Sequence, residues 1–288
     1  MAAHVGSTFL RIMLGAELTR LRDQAGLTGD QAAKAIGLRS ASMISKVESG
    51  QSGFERIEQL NKLLEAYGVD LDGTEMLTDW YRNAKGHDWW SPKSSTLPSG
   101  MNLYLAHESG AKRVRAWCLG VVLGLLQTED YVLHLMRSAQ AADERTTEFV
   151  ENAVAVRMER KKRITEEGME LVCIMDESAL TNWVGNREVM RAQYLELAEL
   201  TELPNVAVRI IPARVPAYRV LGGSFHILHF DRKELPLPVV CNSMTGTVQF
   251  MSKERIVKQY ERRFEHLAQG ALPIHETPDF LARLAREV

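Results

Sequence analysis

Four short helical patterns, each closed by a glycine, occupy the first seventy residues and restrict this chain more than any other feature. Leu14, Leu18, Leu21 and Ala25 recur at helical spacing, and Gly26 follows as a stop. Thr28 can cap a second helix through Ile36, before Gly37. Ser40 can cap a third to about Ser49, before Gly50. Ile57, Leu60, Leu64 and Tyr67 mark a fourth, ended by Gly68. Between the second and third, Gly37 takes a turn where left-handed backbone is cheap. Ala32 and Ala33 let two helices cross closely, and Leu38, Ile44 and Val47 can fill the space between them. Two short helices joined this tightly form a helix-turn-helix. The outer face of the second is then free to enter a major groove about 12 Å wide.

The segment LGAELTRLRDQAGLTGDQAAKAIGL, followed by ISKVESGQ, resembles the Cro/C1 (XRE) helix-turn-helix family over about residues 11–70. The resemblance implies base-facing positions at Ala41, Ser42, Ser45 and Lys46. It implies positions near phosphates at Thr28, Gly29, Arg39 and Gln51, and Ser40 in the turn is counted with them. Glutamine is frequent in the family where Gly29 and Ala41 stand here, and the turn Leu38-Arg39-Ser40 reads as one residue longer. From Leu14 to Ser52, five basic residues (Arg20, Arg22, Lys34, Arg39, Lys46) face four acidic ones (Glu17, Asp23, Asp30, Glu48). That is a weak footprint for phosphate neutralisation, so a homodimer on two half-sites of double-stranded DNA is expected.

With 288 residues the chain has room for about two domains. Asn83 to Gly100, rich in glycine, proline and serine, reads as a linker between a helix-turn-helix domain at 1–82 and a larger domain at 101–288. Trp89 and Trp90 would be costly to expose in a free linker, so part of it is expected to dock. Beyond it the patterning is mixed. Helices are expected at about 127–139, 144–165, 187–203 and 253–269, with a last one from Thr277-Pro278. Strands are expected at Leu171–Met175, Asn205–Ile211, Ser224–Phe230, Pro238–Asn242 and Thr247–Met251. One helix–strand alternation followed by consecutive strands gives the fold class: α+β, an all-α helix-turn-helix domain plus a larger mixed α/β domain.

Leu123-Gly124-Leu125-Leu126-Gln127-Thr128-Glu129-Asp130-Tyr131 resembles the PGLLQTEDYA motif of a C-terminal domain in actinobacterial XRE regulators, the WhiJ-like group. Arg157-Met158-Glu159-Arg160, Asp176 to Leu180, Glu188 to Gln193, Pro204-Asn205-Val206 and Ile211-Pro212 follow in the expected order, over about residues 88–284. Leu123 stands where proline is usual. The resemblance implies a cytoplasmic transcriptional regulator, often encoded beside a small partner protein in an antitoxin-like arrangement. Read from the residues alone, Thr128 is a helix cap, with Glu129 and Asp130 complementing the helix dipole. The basic stretch Arg157, Arg160 to Arg163 reads as a solvated face, with an acidic partner or DNA as the alternative. Trp89, Trp90, Trp117 and Trp183 read as core, with a pocket as the alternative. Phe264, Leu267, Phe280, Leu281 and Leu284 either close the core or offer a surface for self-association or a partner.

Other classes are disfavoured. Hydrophobic residues are 45 % and charged residues 25 %, as in globular proteins, and the net charge of −2 excludes a wholly basic nucleic-acid coat. No apolar run reaches the roughly 18 residues of a membrane helix, and no secretory signal is visible, so no membrane partner is expected. Cys118, Cys173 and Cys241 are scattered, neither a disulfide framework nor a zinc cluster. His226 and His229, three apart in a strand, point to opposite faces. Gly222-Gly223-Ser224 reads as a turn, and Asp176-Glu177 are weak as an acid–base pair. No catalytic fingerprint is present, so neither an enzyme nor a cofactor is expected.

Overall fold

The computed structural model describes residues 5–140, 144–215, 223–231, 238–242 and 247–288. The chain divides into two compact units at Ser91/Pro92.

The first unit is all helix: α1 (Ser7–Gln24), α2 (Gly29–Ala35), α3 (Ser42–Glu48), α4 (Ile57–Ala66) and α5 (Leu71–Asn83). Leu18, Ala32, Ile44, Leu60 and Leu64 are almost fully buried in one shared core, joined by Leu77 and Tyr81 of α5. Neither α2 nor α3 exceeds two turns, too short to persist alone, so this core holds them. Two positions depend on glycine. Gly37 (φ +79°) closes α2, its N–H donating to Lys34 O and that of Leu38 to Ala33 O, a Schellman ending. Gly15 lies inside α1 where α3 ends, and a β-carbon there would collide with the carbonyl groups of Val47 and Glu48. After α5 the chain docks on α1: Arg11 Nη1 donates to Ala84 O (2.8 Å), and the Asp88 carboxylate accepts from the Thr8 N–H and hydroxyl.

The second unit is built on a six-stranded mixed sheet: β1 (Arg113–Cys118), β2 (Glu170–Asp176), β3 (Val206–Ile211), β4 (Phe225–His229), β5 (Val239–Asn242) and β6 (Val248–Met251). The order is β3-β2-β1-β4-β5-β6. The first three strands are parallel and the rest antiparallel. Its helices are α6 (Met101–Gly110), α7 (Glu129–Gln140), α8 (Thr147–Thr165), α9 (Ser178–Thr181), α10 (Arg187–Thr201), α11 (Glu254–Gly270) and α12 (Thr277–Glu287). The α+β class is therefore observed. All five expected strands are present, and β1, at the centre between β2 and β4, is an addition. Its outer half, Arg113-Val114-Arg115, alternates charge with apolar residues. Arg115 is accommodated by an ion pair to Glu265 and by the face of Phe264, 4.2 Å from the ring centre.

Phe225 and Ile227 of β4 face α11 in one core with Trp117, Ile174, Phe264 and Leu267. His226 faces the other way, where Tyr104 of α6 meets it at 3.2 Å. The glycine turn before β4 lies partly outside the described residues, at Gly222. Ser224 there accepts from the Leu119 N–H.

Candidate nucleic-acid interface

The interface begins with how α2 is started. The Thr28 hydroxyl accepts from the Gln31 N–H (3.3 Å), and the Gln31 side-chain oxygen accepts from the Thr28 N–H (2.8 Å), a reciprocal capping box. Asp30 in the first turn favours the positive end of the helix, and its carboxylate also accepts from the Ala41 N–H at 3.3 Å. That contact replaces the cap expected from Ser40. The N-cap position of α3 falls on Ala41, which has no side-chain acceptor, so the Ser40 hydroxyl lies one residue too early to cap. The longer turn thus hands the capping role to the preceding helix.

On α3, Ile44 and Val47 are 1 % and 2 % exposed, whereas Ser42, Ser45 and Lys46 are open to solvent. Thr28, Arg39, Ser40 and Gln51 are exposed as well. Gly29 and Ala41 are half-buried against each other: a β-carbon on Gly29 would lie 3.2 Å from that of Ala41. The two departures from the frequent glutamines therefore meet at one crossing. A larger side chain at 29 needs the helices to give by a few tenths of an ångström.

Electrostatics sharpens this face beyond the sequence count. Glu48 turns back to Arg22 (Nε to Oε1 2.6 Å), both side chains being less than 20 % exposed, and Glu17 pairs with Arg20. The hydrogen bond to Glu48, first among the causes and outweighing burial, raises the Arg22 pKa above its ordinary value. Among the described residues, no ion pair holds Lys34, Arg39 or Lys46. Much of the acidic charge is thus tied to α1, and Lys34, Arg39 and Lys46 are left without an acidic partner among the described residues. Gly15, Asp30 and the Arg22–Glu48 pair are positioning groups that sequence reasoning did not select. A glycine inside LRIMLGAELTRL, costing about 1 kcal/mol relative to alanine, was the one readable sign of a close approach.

In the second unit, the TEDY segment is structural. The Thr128 hydroxyl accepts from the Tyr131 N–H (3.2 Å), and Gln193 of α10 braces the turn, accepting from the Thr128 N–H and donating to Leu126 O, both at 2.8 Å. The basic stretch on α8 is not the expected solvated face. Arg160 and Arg163 are 6 % and 9 % exposed. Arg160 pairs with buried Glu108, and Arg163 donates to Ala111 O (2.8 Å) and pairs with Glu167. Lys161 pairs with Glu196, while Lys162 stays open beside Glu159. Arginine on a helix can reach inward to carbonyls and carboxylates, which a charge run does not reveal. Asp176 and Glu177 accept from the Ser178 and Ala213 N–H groups. Trp90 and Trp117 are buried, but Trp89 and Trp183 are 40 % and 54 % exposed, so they are not uniformly core. Phe264, Leu267, Phe280, Leu281 and Leu284 are all buried, so the stripe closes the core. Cys118, Cys173 and Cys241 are free thiols. No helix among the described residues is long and apolar enough to cross a membrane.

A bundle that buries one side of α3 and leaves the other polar and basic is a helix-turn-helix reader, and a family model described as "Helix-turn-helix domain" matches residues 13–77. The protein is a DNA-binding regulator of that class. Residues 101–283 match the model described as "Domain of unknown function (DUF5753)", and the chain belongs to that family. No match was found among curated proteins or solved structures.

Proposed function

We propose that the protein is a sequence-specific transcriptional regulator that binds double-stranded DNA as a homodimer in the cytoplasm. In this reading α3 reads base edges through Ser42, Ser45 and Lys46, while Thr28, Arg39, Ser40 and Gln51 lie near phosphates. The observation that carries it is the division of α3 into a buried Ile44/Val47 side and an open polar side, with its own Glu48 turned back onto Arg22. The larger unit serves dimerisation and effector or partner binding, and the protein acts by binding rather than by catalysis. The likeness of that unit to the C-terminal domain of actinobacterial XRE regulators supports this role. An effector changes DNA affinity only by preferring one state of the protein, so the two sites must be thermodynamically coupled.

Selection of a bound sequence from a random pool, followed by electrophoretic titration over several salt concentrations, tests the reading. Lys46→Ala is expected to weaken the selected site by about 1–3 kcal/mol and relax specificity at one position if Lys46 reads a base. If it touches phosphate alone, all sequences weaken alike and the salt slope falls by about 1. Unchanged binding to every DNA removes α3 from the interface.

A further inference from the structure

Among the described residues Arg157 of α8 has no carboxylate partner, unlike its neighbour one turn on. Arg160 Nε and Nη2 donate to Glu108 Oε1 and Oε2 at 2.7 and 2.8 Å, and Nη2 also reaches the Tyr104 hydroxyl at 3.2 Å. Arg157 donates through Nη1 only, to Ala153 O (3.3 Å) and the Met136 sulfur (3.8 Å). Its Nε is enclosed and has no hydrogen-bond partner among the described residues, and none of them accepts from Nη2. Nε is closed off on the Gly124 side, so Nη2 is the donor left for an outside acceptor.

That guanidinium lines two cavities. One, of about 220 Å³, is walled by Pro98, Met101, Met136, Phe149 and Val156, with Arg145 at its side. The other, of about 140 Å³, lies on the side of Gly124 and shares Met101, Arg157 and Arg160. A β-carbon on Gly124 would stand 3.7 Å from Arg157 Nε, so the chain passes close to the guanidinium without supplying a charge. Burial, then the nearby Arg160 and Arg145, push the Arg157 pKa down to about 10, so it stays cationic at neutral pH. Arg157 is half-buried, and a partly desolvated cation beside like charges costs stability unless something neutralises it. A volume near 220 Å³ equals about seven water molecules, room for a small metabolite and not for a peptide.

We infer that this cavity binds a small organic anion, a carboxylate or phosphate monoester with an apolar body, held head-on by Arg157. The apolar body lies against Met101, Met136 and Phe149. The assignment rests on the reading of the larger unit as the effector-binding part, and it names the chemistry of that effector.

Calorimetric titration of the full-length protein without DNA tests it, using hexanoate and phenyl phosphate as probes and hexanamide and phenol as neutral controls. At least one anion is expected to bind, and the stronger of the two identifies the head group. Neither neutral control should bind. Arg157→Met should weaken the anion by more than about thirtyfold, the loss expected for truncating one partner of a buried charge pair. Unliganded, that variant should melt no lower than the wild type, because it removes an uncompensated charge. Ala153→Leu, which fills the cavity while keeping Arg157, should lose the anion too. Absence of binding by both anions, equal binding by a neutral control, or unchanged anion affinity in Arg157→Met overturns the assignment. Repeating the DNA titration with the bound anion separates the two readings. Anion binding with unaltered DNA affinity leaves the site standing and removes its effector role. A neutral ligand that alters DNA affinity does the reverse.

Discussion

Replacing Glu108 with alanine is expected to destabilise the second unit by about 3–5 kcal/mol, the cost of leaving a buried cation without its partner. Glu108 and Arg160 are 2 % and 6 % exposed and meet through two hydrogen bonds, with Tyr104 bridging them. Burial by itself would raise the Glu108 pKa. The Arg160 charge and the hydrogen bonds from Arg160 and Tyr104 together outweigh it and hold the carboxyl below its ordinary value near 4.5. A depressed native pKa contributes stability above that ordinary value, and the contribution vanishes as pH falls through the native one. The wild type should therefore lose stability on acidification more steeply than Glu108→Gln, in which this titration is absent. The double replacement Glu108→Leu with Arg160→Met should recover most of the loss or exceed the wild type, since apolar pairs of similar volume often do. Chemical denaturation of the single and double variants across pH 3–7 measures both effects. Additive losses in the double variant would show that the pair is not coupled.

Gly15→Ala should destroy the recognition surface although it lies outside it. In an exposed helix this change stabilises by up to about 1 kcal/mol. Here the new methyl group meets the carbonyl oxygens at the end of α3, backbone atoms that cannot rotate away. Overpacking of this kind costs about 1–3 kcal/mol or more, and relief requires α3 to move off α1. Because Ser45 and Lys46 share α3 with Ile44, Val47 and Glu48, which hold it to the core and to Arg22, that movement displaces them together. The expected result is a net loss of about 2 kcal/mol and a large loss of specific DNA binding, with the far-UV spectrum retained. A melting temperature above the wild type would mean that α1 and α3 do not touch there.

Much of the fold was readable because its signals are local. Helix stops at Gly26, Gly37, Gly50 and Gly68, caps at Thr28 and Thr128, and the short apolar runs of β2 to β6 each depend on residues within a few positions of one another. β1 was hidden since Arg113 and Arg115 break its apolar pattern, and the partners that accommodate them, Glu170, Glu265 and Phe264, come from far along the chain. Ser40 misled for a smaller reason: one extra turn residue moves a good capping residue off the cap, and only Asp30 from another helix reveals what replaces it.

The sequence by itself determined the class of each half: a glycine-punctuated bundle with a polar-faced short helix, and a mixed sheet dressed by amphipathic helices. It determined these because period and capping are properties of neighbours in the chain. The tertiary structure alone decided which charges are spent and which are free. Glu48 is turned onto Arg22, Arg160 is matched by Glu108, and Arg157 beside it has no acidic partner among the described residues. A formal charge is written in the sequence, but its partner and its solvation depend on groups 26 or 52 residues away, which only the folded chain sets side by side.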